Sequence, residues 1–349
     1  MTVPCADTVP VLALVVPCYN EQEVFPETLK QLRALLASLV AAGQVRAESR
    51  IWFVDDGSRD ATWSLIESAA RDPSTLVCGI KLSRNQGHQF ALLAGLMHAR
   101  GDILVSLDAD LQDDLAVIPQ MIEHYRDGAD IVYGVRSART TDTLFKRLSA
   151  EAYYKLLRRM GVEMVFNHAD YRLMSRRAIE SLRRYEESNL FLRGLIPLLG
   201  YRSAKVEYAR AVRFAGESKY PLRRMIALAW QGVTSFSAVP LRTITALGLL
   251  VSLLSVGMGL WALGVRLLSD SAVPGWASIV IPQFLLSGVQ LLSLGVIGEY
   301  LAKIFHETKR RPRYLIDTIV GSARAEGGQD EWDSVEKGTR GGHMPAAHP

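Results

Sequence analysis

Cysteine is scarce in this 349-residue chain. The three present, Cys5, Cys18 and Cys78, are odd in number and lack metal-ligand spacing, so they indicate neither a disulfide framework nor a zinc site and fit a reducing compartment. Charge of one sign is also lacking: 40 Lys and Arg stand against 36 Asp and Glu, a net charge of +4, so the total does not supply the basic surface that nucleic acid requires. No Gly-x-Gly-x-x-Gly follows a strand pattern, which counts against a dinucleotide oxidoreductase. The N-terminus has no basic stretch leading into an apolar run and cleavage site, and Val11–Val16 is too short for a signal core. The N-terminal half is therefore expected to stay on the cytoplasmic side. Apolar residues, in contrast, are in excess, at 49% of the chain with a mean hydropathy of +0.10. One domain accounts for about 100–200 residues, so part of that excess is free to face lipid.

From Pro10 to about Tyr133, short β-branched runs alternate with helix-spaced apolar residues. The runs Val11–Val16, Ile51–Val54, Val77–Leu82, Ile103–Leu107 and Ile131–Tyr133 read as buried parallel strands. The stretches Glu23–Ala42, Ala61–Arg71, Phe90–Arg100 and Leu115–Arg126 read as the helices that cover them, giving an α/β domain with a mostly parallel sheet. Thr143–Leu199 changes to Arg- and aromatic-rich amphipathic helices, expected to lie on a membrane surface, with short strands near Tyr171–Met174 and Ala204–Tyr208. The sheet and its acidic strand ends are expected to lie wholly before Arg213.

Ile244–Val265 carries no charge. At about 1.5 Å per residue it spans about 33 Å, close to the roughly 30 Å of a hydrocarbon core. Ala277–Ile297 is similar, with Pro282, Gln283 and Gln290 marking a helix packed against partners. The short connection between them carries one acid, Asp270. Arg223, Arg224 and Arg242 precede the first span, and Lys303, Lys309, Arg310, Arg311 and Arg313 follow the second, so both ends are expected to be cytoplasmic. Ser255 and Gly259 form a small-xxx-small pair that suits self-association of these helices. The expected division is a catalytic domain with interfacial helices over 1–212, a juxtamembrane segment over 213–240, two transmembrane helices within 241–305, and a basic segment with a disordered tail over 306–349.

Chemistry concentrates at strand ends, where open α/β sheets bind ligands. Asp108-Ala109-Asp110-Leu111-Gln112-Asp113 directly follows a strand, and two carboxylates one residue apart can turn toward one divalent ion that neutralises a leaving diphosphate. Alone, the same residues would serve equally as an acidic turn capping the next helix. Val54-Asp55-Asp56-Gly57-Ser58 puts a second acidic pair after a second strand, where carboxylates can accept hydrogen bonds from a base and a ribose, although Asp, Gly and Ser are also ordinary turn residues. Val16-Pro17-Cys18-Tyr19-Asn20-Glu21 closes the first strand with another polar cluster.

These motifs together, with LSRNQGHQFALLAGL at Leu82–Leu96, ADYRLMSRRA at Ala169–Ala178 and GESKYPLRRM at Gly216–Met225, resemble family 2 glycosyltransferases of the GT-A fold. The branch resembled is the polyprenyl-phosphate glycosyltransferases, which includes dolichyl-phosphate mannose synthases and bacterial bactoprenol glucosyltransferases. The resemblance implies a multi-pass protein of the bacterial cell membrane that moves a sugar from a nucleotide-sugar to a polyprenyl phosphate, with Mg2+ or Mn2+ as cofactor. UDP-glucose and UDP-N-acetylglucosamine are the leading donors, ahead of GDP-mannose. Position by position, Pro17, Asn20, Glu21, Asp55 and Asp56 resemble the nucleoside-binding set. Asp108 resembles the ribose–phosphate and metal contact, and Asp110 and Gln112 resemble metal ligands. Asp170 resembles the catalytic carboxylate, either as a base or as a group that orients the donor sugar or Arg172. His168 lies beside it. Asp113-Asp114 departs from the Asp-Pro of many relatives, so the local turn is expected to differ.

A polyprenyl phosphate needs cations beside it, and Arg136, Arg139, Lys146, Arg147, Arg213 and Lys219 lie between the sheet and the membrane segments. Of these, Arg136 and Arg147 resemble acceptor-phosphate ligands, while any single one could instead contact anionic lipid. A processive polysaccharide synthase would carry Gln-x-x-Arg-Trp, which is absent here. A non-catalytic receptor for a nucleotide-sugar or lipid phosphate is disfavoured by the intact Asp108, Asp110 and Gln112.

Overall fold

The computed structural model of the chain describes residues 9–136, 168–187, 191–209 and 276–321, together with parts of 241–257. Its centre is β1 (Leu12–Cys18), an apolar run with every residue buried, as a strand covered on both faces requires. Beside it run β2 (Arg50–Asp55) and β4 (Ile103–Ser106), both parallel to it, and β3 (Val77–Leu82) lies parallel beyond β2. β6 (His168–Ser175) pairs antiparallel with β4 and with β5 (Ile131–Arg136), and β7 (Ser203–Tyr208) runs parallel to β5. With β8 (Ile316–Val320) the eight strands are ordered β7-β5-β6-β4-β1-β2-β3-β8. The expected α/β domain with a mostly parallel sheet is what the chain forms.

The period-2 alternation of β1 sends Leu12, Leu14 and Val16 to one core and Ala13 and Val15 to the other. Helices α1 (Phe25–Ala41), α2 (Thr62–Arg71) and α4 (Ile118–Arg126) cover the first face through Leu32, Leu36, Ile66 and Met121. A single 3₁₀ turn, Leu115–Val117, leads into α4. The second face is covered by α3 (His88–His98), α5 (Arg176–Arg183) and α6 (Leu192–Leu198). α3 comes so close that a Cβ on Gly95 would stand 2.3 Å from Val15 Cγ1, so only glycine fits there.

Three expectations change. α5 and α6 fall in the stretch read as membrane-surface helices, yet they bury Ala178, Ile179, Leu182, Leu192, Leu195 and Ile196 against the sheet. Their apolar stripes serve the core. Second, the sheet does not end before Arg213: β8 comes from the stretch read as a basic segment and tail, and pairs antiparallel with β3. Five residues between charged turns carry too little pattern to be recognised as a strand without their partner. Around it, Ser83 N–H donates to Leu315 O (2.9 Å), Arg313 Nη1 to Tyr185 O (2.6 Å), and Tyr314 packs on the second core.

Third, among the described residues one helix is long and apolar enough to cross a membrane: α7 (Trp276–Thr308), through Leu286–Phe305, none of whose described side chains is buried. The expected first span, Ile244–Val265, lies partly outside the described residues. Those described between 243 and 257 are helical, with Leu247, Leu249, Leu250, Leu253 and Leu254 exposed. The juxtamembrane segment 213–240, Arg139, Lys146, Arg147, Arg213, Lys219 and the final tail lie outside the described residues.

Candidate active site

Because β1 and β2 are parallel and in register, Cys18 opposite Asp55, their carboxyl ends open on the same edge. The loops beyond them interlock. Asn20, in the left-handed region at φ 55°, donates its N–H to Ser58 Oγ (3.0 Å) and accepts from Arg59 N–H at Oδ1 (2.9 Å). Glu21 N–H donates to Thr62 Oγ1 (2.8 Å). Asp55 is fully buried and takes Ser58 N–H on its carboxylate at 3.3 Å, and burial raises its pKa against those hydrogen bonds. Pro17 is buried within β1. Asn20, Glu21 and Asp55 are thus brought to the same edge of the sheet by their interlocked loops.

Asp56 turns elsewhere. Its Oδ1 accepts Gln86 N–H (2.7 Å) and its Oδ2 accepts Gly87 N–H (2.9 Å), while its own N–H donates to Cys18 O (2.9 Å). Burial raises its pKa, partly offset by the two backbone donors. Gly57 beside it, at φ +67°, comes so near the same loop that a Cβ would lie 2.6 Å from Asn85 N. Both oxygens of Asp56 are therefore used in holding the β3–α3 loop.

The Asp108–Asp114 loop continues β4, with Leu107 N–H still bonded to Val15 O (3.1 Å). Ala109 is buried, its carbonyl accepting from Thr28 Oγ1 of α1 (2.8 Å), which leaves Asp108 and Asp110 flanking a fixed point. Leu111, at φ 55°, reverses the chain so that Gln112 N–H reaches Asp110 Oδ1 (3.3 Å). Asp113 is buried and accepts from Tyr208 OH, and Asp114 caps the next turn by accepting Ala116 N–H (2.9 Å) while its carbonyl accepts from Tyr171 OH (2.9 Å). The Asp-Asp that departs from Asp-Pro is thus a packing and capping pair.

Asp108 has its pKa raised, by burial first and then by Asp113, Asp170 and Asp110, against the opposing pull of His88. Among the described residues no three His, Cys, Asp or Glu side chains converge as a closed metal cage. Magnesium on nucleotides needs only one or two carboxylates, the rest of its shell being phosphate and water, so the mutually repelling pair Asp108 and Asp110 fits a divalent ion brought with a diphosphate.

Asp170, on β6, is the most heavily engaged group. Its Oδ1 pairs with Arg172 Nη2 and lies 3.3 Å from Arg193 Nε; its Oδ2 lies 3.0 Å from Arg193 Nη2, 3.3 Å from Gln89 Nε2 and 3.6 Å from His88 Nε2. Gln89 also accepts Leu192 N–H at Oε1 (3.1 Å), tying the start of α3 to the start of α6. Burial would raise the Asp170 pKa, but His88, Arg172 and Arg193 overcome it and hold the carboxyl well below its ordinary range. His88 lies equally near Asp108, 3.6 Å from Oδ1. Of the expected residues, then, Asp108 and Asp170 meet across His88, while Asp56 stands behind.

Sequence reasoning missed His88, Gln89 and Arg193 as site residues. A signal existed for the first two, which open the helix that follows the short loop after β3; nothing in the pattern around Arg193 marked it. Arg136 is the last residue of β5, opposite Tyr208 in β7, and His168 is the first of β6.

A protein of Bacillus subtilis (strain 168) described as the uncharacterized glycosyltransferase YkoT is 49% identical over 88% of this chain and 91% of its own. The prophage bactoprenol glucosyl transferase homolog of Escherichia coli (strain K12) is 40% identical over 88% of this chain and 99% of its own. A mannosyltransferase from Pyrobaculum calidifontis, solved with GDP-Man and Mn2+, is 18% identical over 87% of each chain with a TM-score of 0.42, too distant to carry an argument. The model of "Glycosyl transferase family 2" matches residues 13–183, and the chain belongs to that family.

Proposed function

We propose that the chain transfers a sugar from a nucleotide-sugar to a polyprenyl phosphate at the cytoplasmic face of a bacterial membrane, with inversion at the anomeric carbon. The observation that carries this reading is the meeting of Asp108, at the diphosphate end of the site, with Asp170 and its arginines across His88. The 40% identity to a bactoprenol glucosyl transferase homolog along nearly its whole length supports the acceptor, and glucose as the first sugar to test. UDP-glucose is the leading donor and UDP-N-acetylglucosamine the second.

In this reading Asn20, Glu21 and Asp55 receive the nucleoside, and buried Pro17 aims the turn that carries the first two. Asp56 belongs to the set only indirectly, through the loop it holds. Asp108 and Asp110, with Gln112, would hold Mg2+ or Mn2+, which when bound offsets the charge of the departing diphosphate. An acceptor phosphate oxygen attacks the anomeric carbon as the bond to the donor phosphate breaks, and the electron pair leaves with the nucleoside diphosphate. One displacement inverts the centre, so an α-linked donor gives a β-linked lipid phosphate sugar. A phosphate monoester, with a second pKa near 6, is already largely dianionic at neutral pH, so no proton has to move.

That suits an Asp170 whose oxygens are taken by two arginines and a glutamine, since a carboxylate so held is a poor base but a firm anchor. Arg193 then stands beside the acceptor. Arg136, Arg147, Arg213 and Lys219 are proposed as further phosphate ligands from the segments nearest the membrane. Two spans, Ile244–Val265 and α7, would carry the domain, with both termini cytoplasmic and Ser255 and Gly259 as a contact between copies.

The test is a donor screen with membranes containing the protein and undecaprenyl phosphate, the lipid product identified by mass and its anomeric linkage by NMR. A β-linked glucosyl or N-acetylglucosaminyl product is expected. An α-linked product, or a sugar trapped on the protein, would overturn the single displacement.

A further inference from the structure

His88 is the first residue of α3 and is delivered there by a loop with little freedom. Asp56 holds that loop by two backbone hydrogen bonds, to Gln86 and Gly87, and Gly57 presses against it from below. Gly87, at φ +94°, then turns the chain into the helix. The imidazole this sets in place is not core packing, since its side chain is 43% exposed. Its Nε2 lies 3.6 Å from Asp108 Oδ1 and 3.6 Å from Asp170 Oδ2, beyond hydrogen-bond length and within reach of charge contact. The two carboxylates come from different strands, β4 and β6. Asp170 is gripped from its other sides by Arg172, Arg193 and Gln89, whereas Asp108 is tied to Asp170 through His88.

We infer that His88 is a positioning residue for the transfer step: it fixes Asp108, on the donor side, against Asp170, on the acceptor side, with Asp56 as the clamp behind it. The inference rests on the proposed reaction for its consequence and on the geometry alone for its contact. Without the ring, two like-charged carboxylates face each other, and of the two it is Asp170 that Arg172 and Arg193 still hold. A shift of about 1 Å between reacting partners costs on the order of 100-fold in rate, and it falls on turnover rather than on donor binding, which Asn20, Glu21 and Asp55 supply.

The experiment is a double-mutant cycle of His88→Ala and Asp170→Asn, with UDP-glucose and undecaprenyl phosphate as substrates. His88→Ala is expected to lower kcat by roughly 30- to 100-fold with the UDP-glucose KM within about threefold. In the Asp170→Asn background the same change should cost less than about threefold, because the partner it acts through is already altered. His88→Gln, whose amide reaches one carboxylate, should recover part of the loss, and thermal melting reports whether each variant folds. Equal losses in both backgrounds, or no loss from His88→Ala, overturn the inference. A second arm needs no donor: in 15N-histidine-labelled protein the His88 ring signals should move in both Asp108→Asn and Asp170→Asn. If neither substitution moves them, the contact is refuted whatever the reaction. If both do and no donor gives a lipid product, it is the proposed reaction that fails.

Discussion

Arg193 lies along the carboxylate of Asp170, its Nη2 3.0 Å from Oδ2 and its Nε 3.3 Å from Oδ1. A guanidinium that meets both oxygens of one carboxylate makes a geometry-specific pair, and here it joins the first turn of α6 to the middle of the sheet. Removing it should loosen Asp170 more than it unfolds the domain. Arg193→Ala is expected to lower kcat at least tenfold, and Arg193→Lys, which keeps the charge but not the fork, to recover only part of it. Steady-state kinetics with both variants decide this.

Asp170 stays ionised over the working pH range because its carboxyl is held well below its ordinary value. Its stabilising contribution is therefore fully present above the unfolded value of about 3.9 and lost only as pH falls below that. The rate should instead rise through the acceptor's second ionisation, near 6. Asp170→Asn should lower the plateau and leave that midpoint where it is. A shifted midpoint would make Asp170 a base.

Asp56 is expected to behave as a structural carboxylate. Asp56→Ala leaves the N–H groups of Gln86 and Gly87 without their acceptor, a loss of roughly 2 kcal/mol or more in folding stability, measurable by denaturant unfolding. Gly57→Ala should be worse than an ordinary surface change, since it adds a Cβ against Asn85 N at a left-handed φ.

Asp110 gives the contrasting case. Its side chain takes part in the turn through Gln112 N–H, an interaction an asparagine oxygen can keep, so Asp110→Asn should fold normally and lose nearly all turnover. Excess chelator should abolish wild-type activity, with Mg2+ or Mn2+ restoring it. Full activity in chelator would remove the metal from the proposal.

Ending the chain after Tyr314 removes β8 and leaves β3 as a bare edge. Hydrogen exchange at Val77–Leu82 should rise at least tenfold and the protein should associate more readily. The same loss follows from ending it after Val239, so poor transfer by that shorter form would report a damaged sheet as well as an absent membrane segment.

Much of this was legible in the sequence because the central strands are buried on both faces. β3 spans Val77–Leu82 as expected, and β1, β2 and β5 differ from expectation only at their ends, where residues outside the β-branched run, such as Pro17 and Cys18, Arg50 and Asp55, and Gly134 to Arg136, continue the ladder. The acidic strand ends were legible for the same reason, since a buried run followed by several carboxylates marks where a strand meets the sheet edge, although Asp56, Asp113 and Asp114 proved to be structural. What pattern could not reveal was which way each side chain turns. Asp55 and Asp56 are neighbours of the same type, yet one takes Ser58 N–H in its own loop and the other holds a loop from another strand. His88 and Arg193 belong to the site through contacts made far along the chain, and periodicity carries no information about those. β8 escaped because its apolar residues make sense only against β3.

Cys78 and Gly321 touch, Sγ to carbonyl oxygen at 3.2 Å, although 243 residues separate them. The strand that closes the edge of the sheet follows α7 in the chain, so α7 always leaves the ribosome before it. During translation β3 is open to wrong partners until that apolar helix has been made. A polypeptide cut short anywhere before Ile316 keeps that open edge, so completion of the sheet serves as a record, written into the enzyme's own topology, that the helix is present.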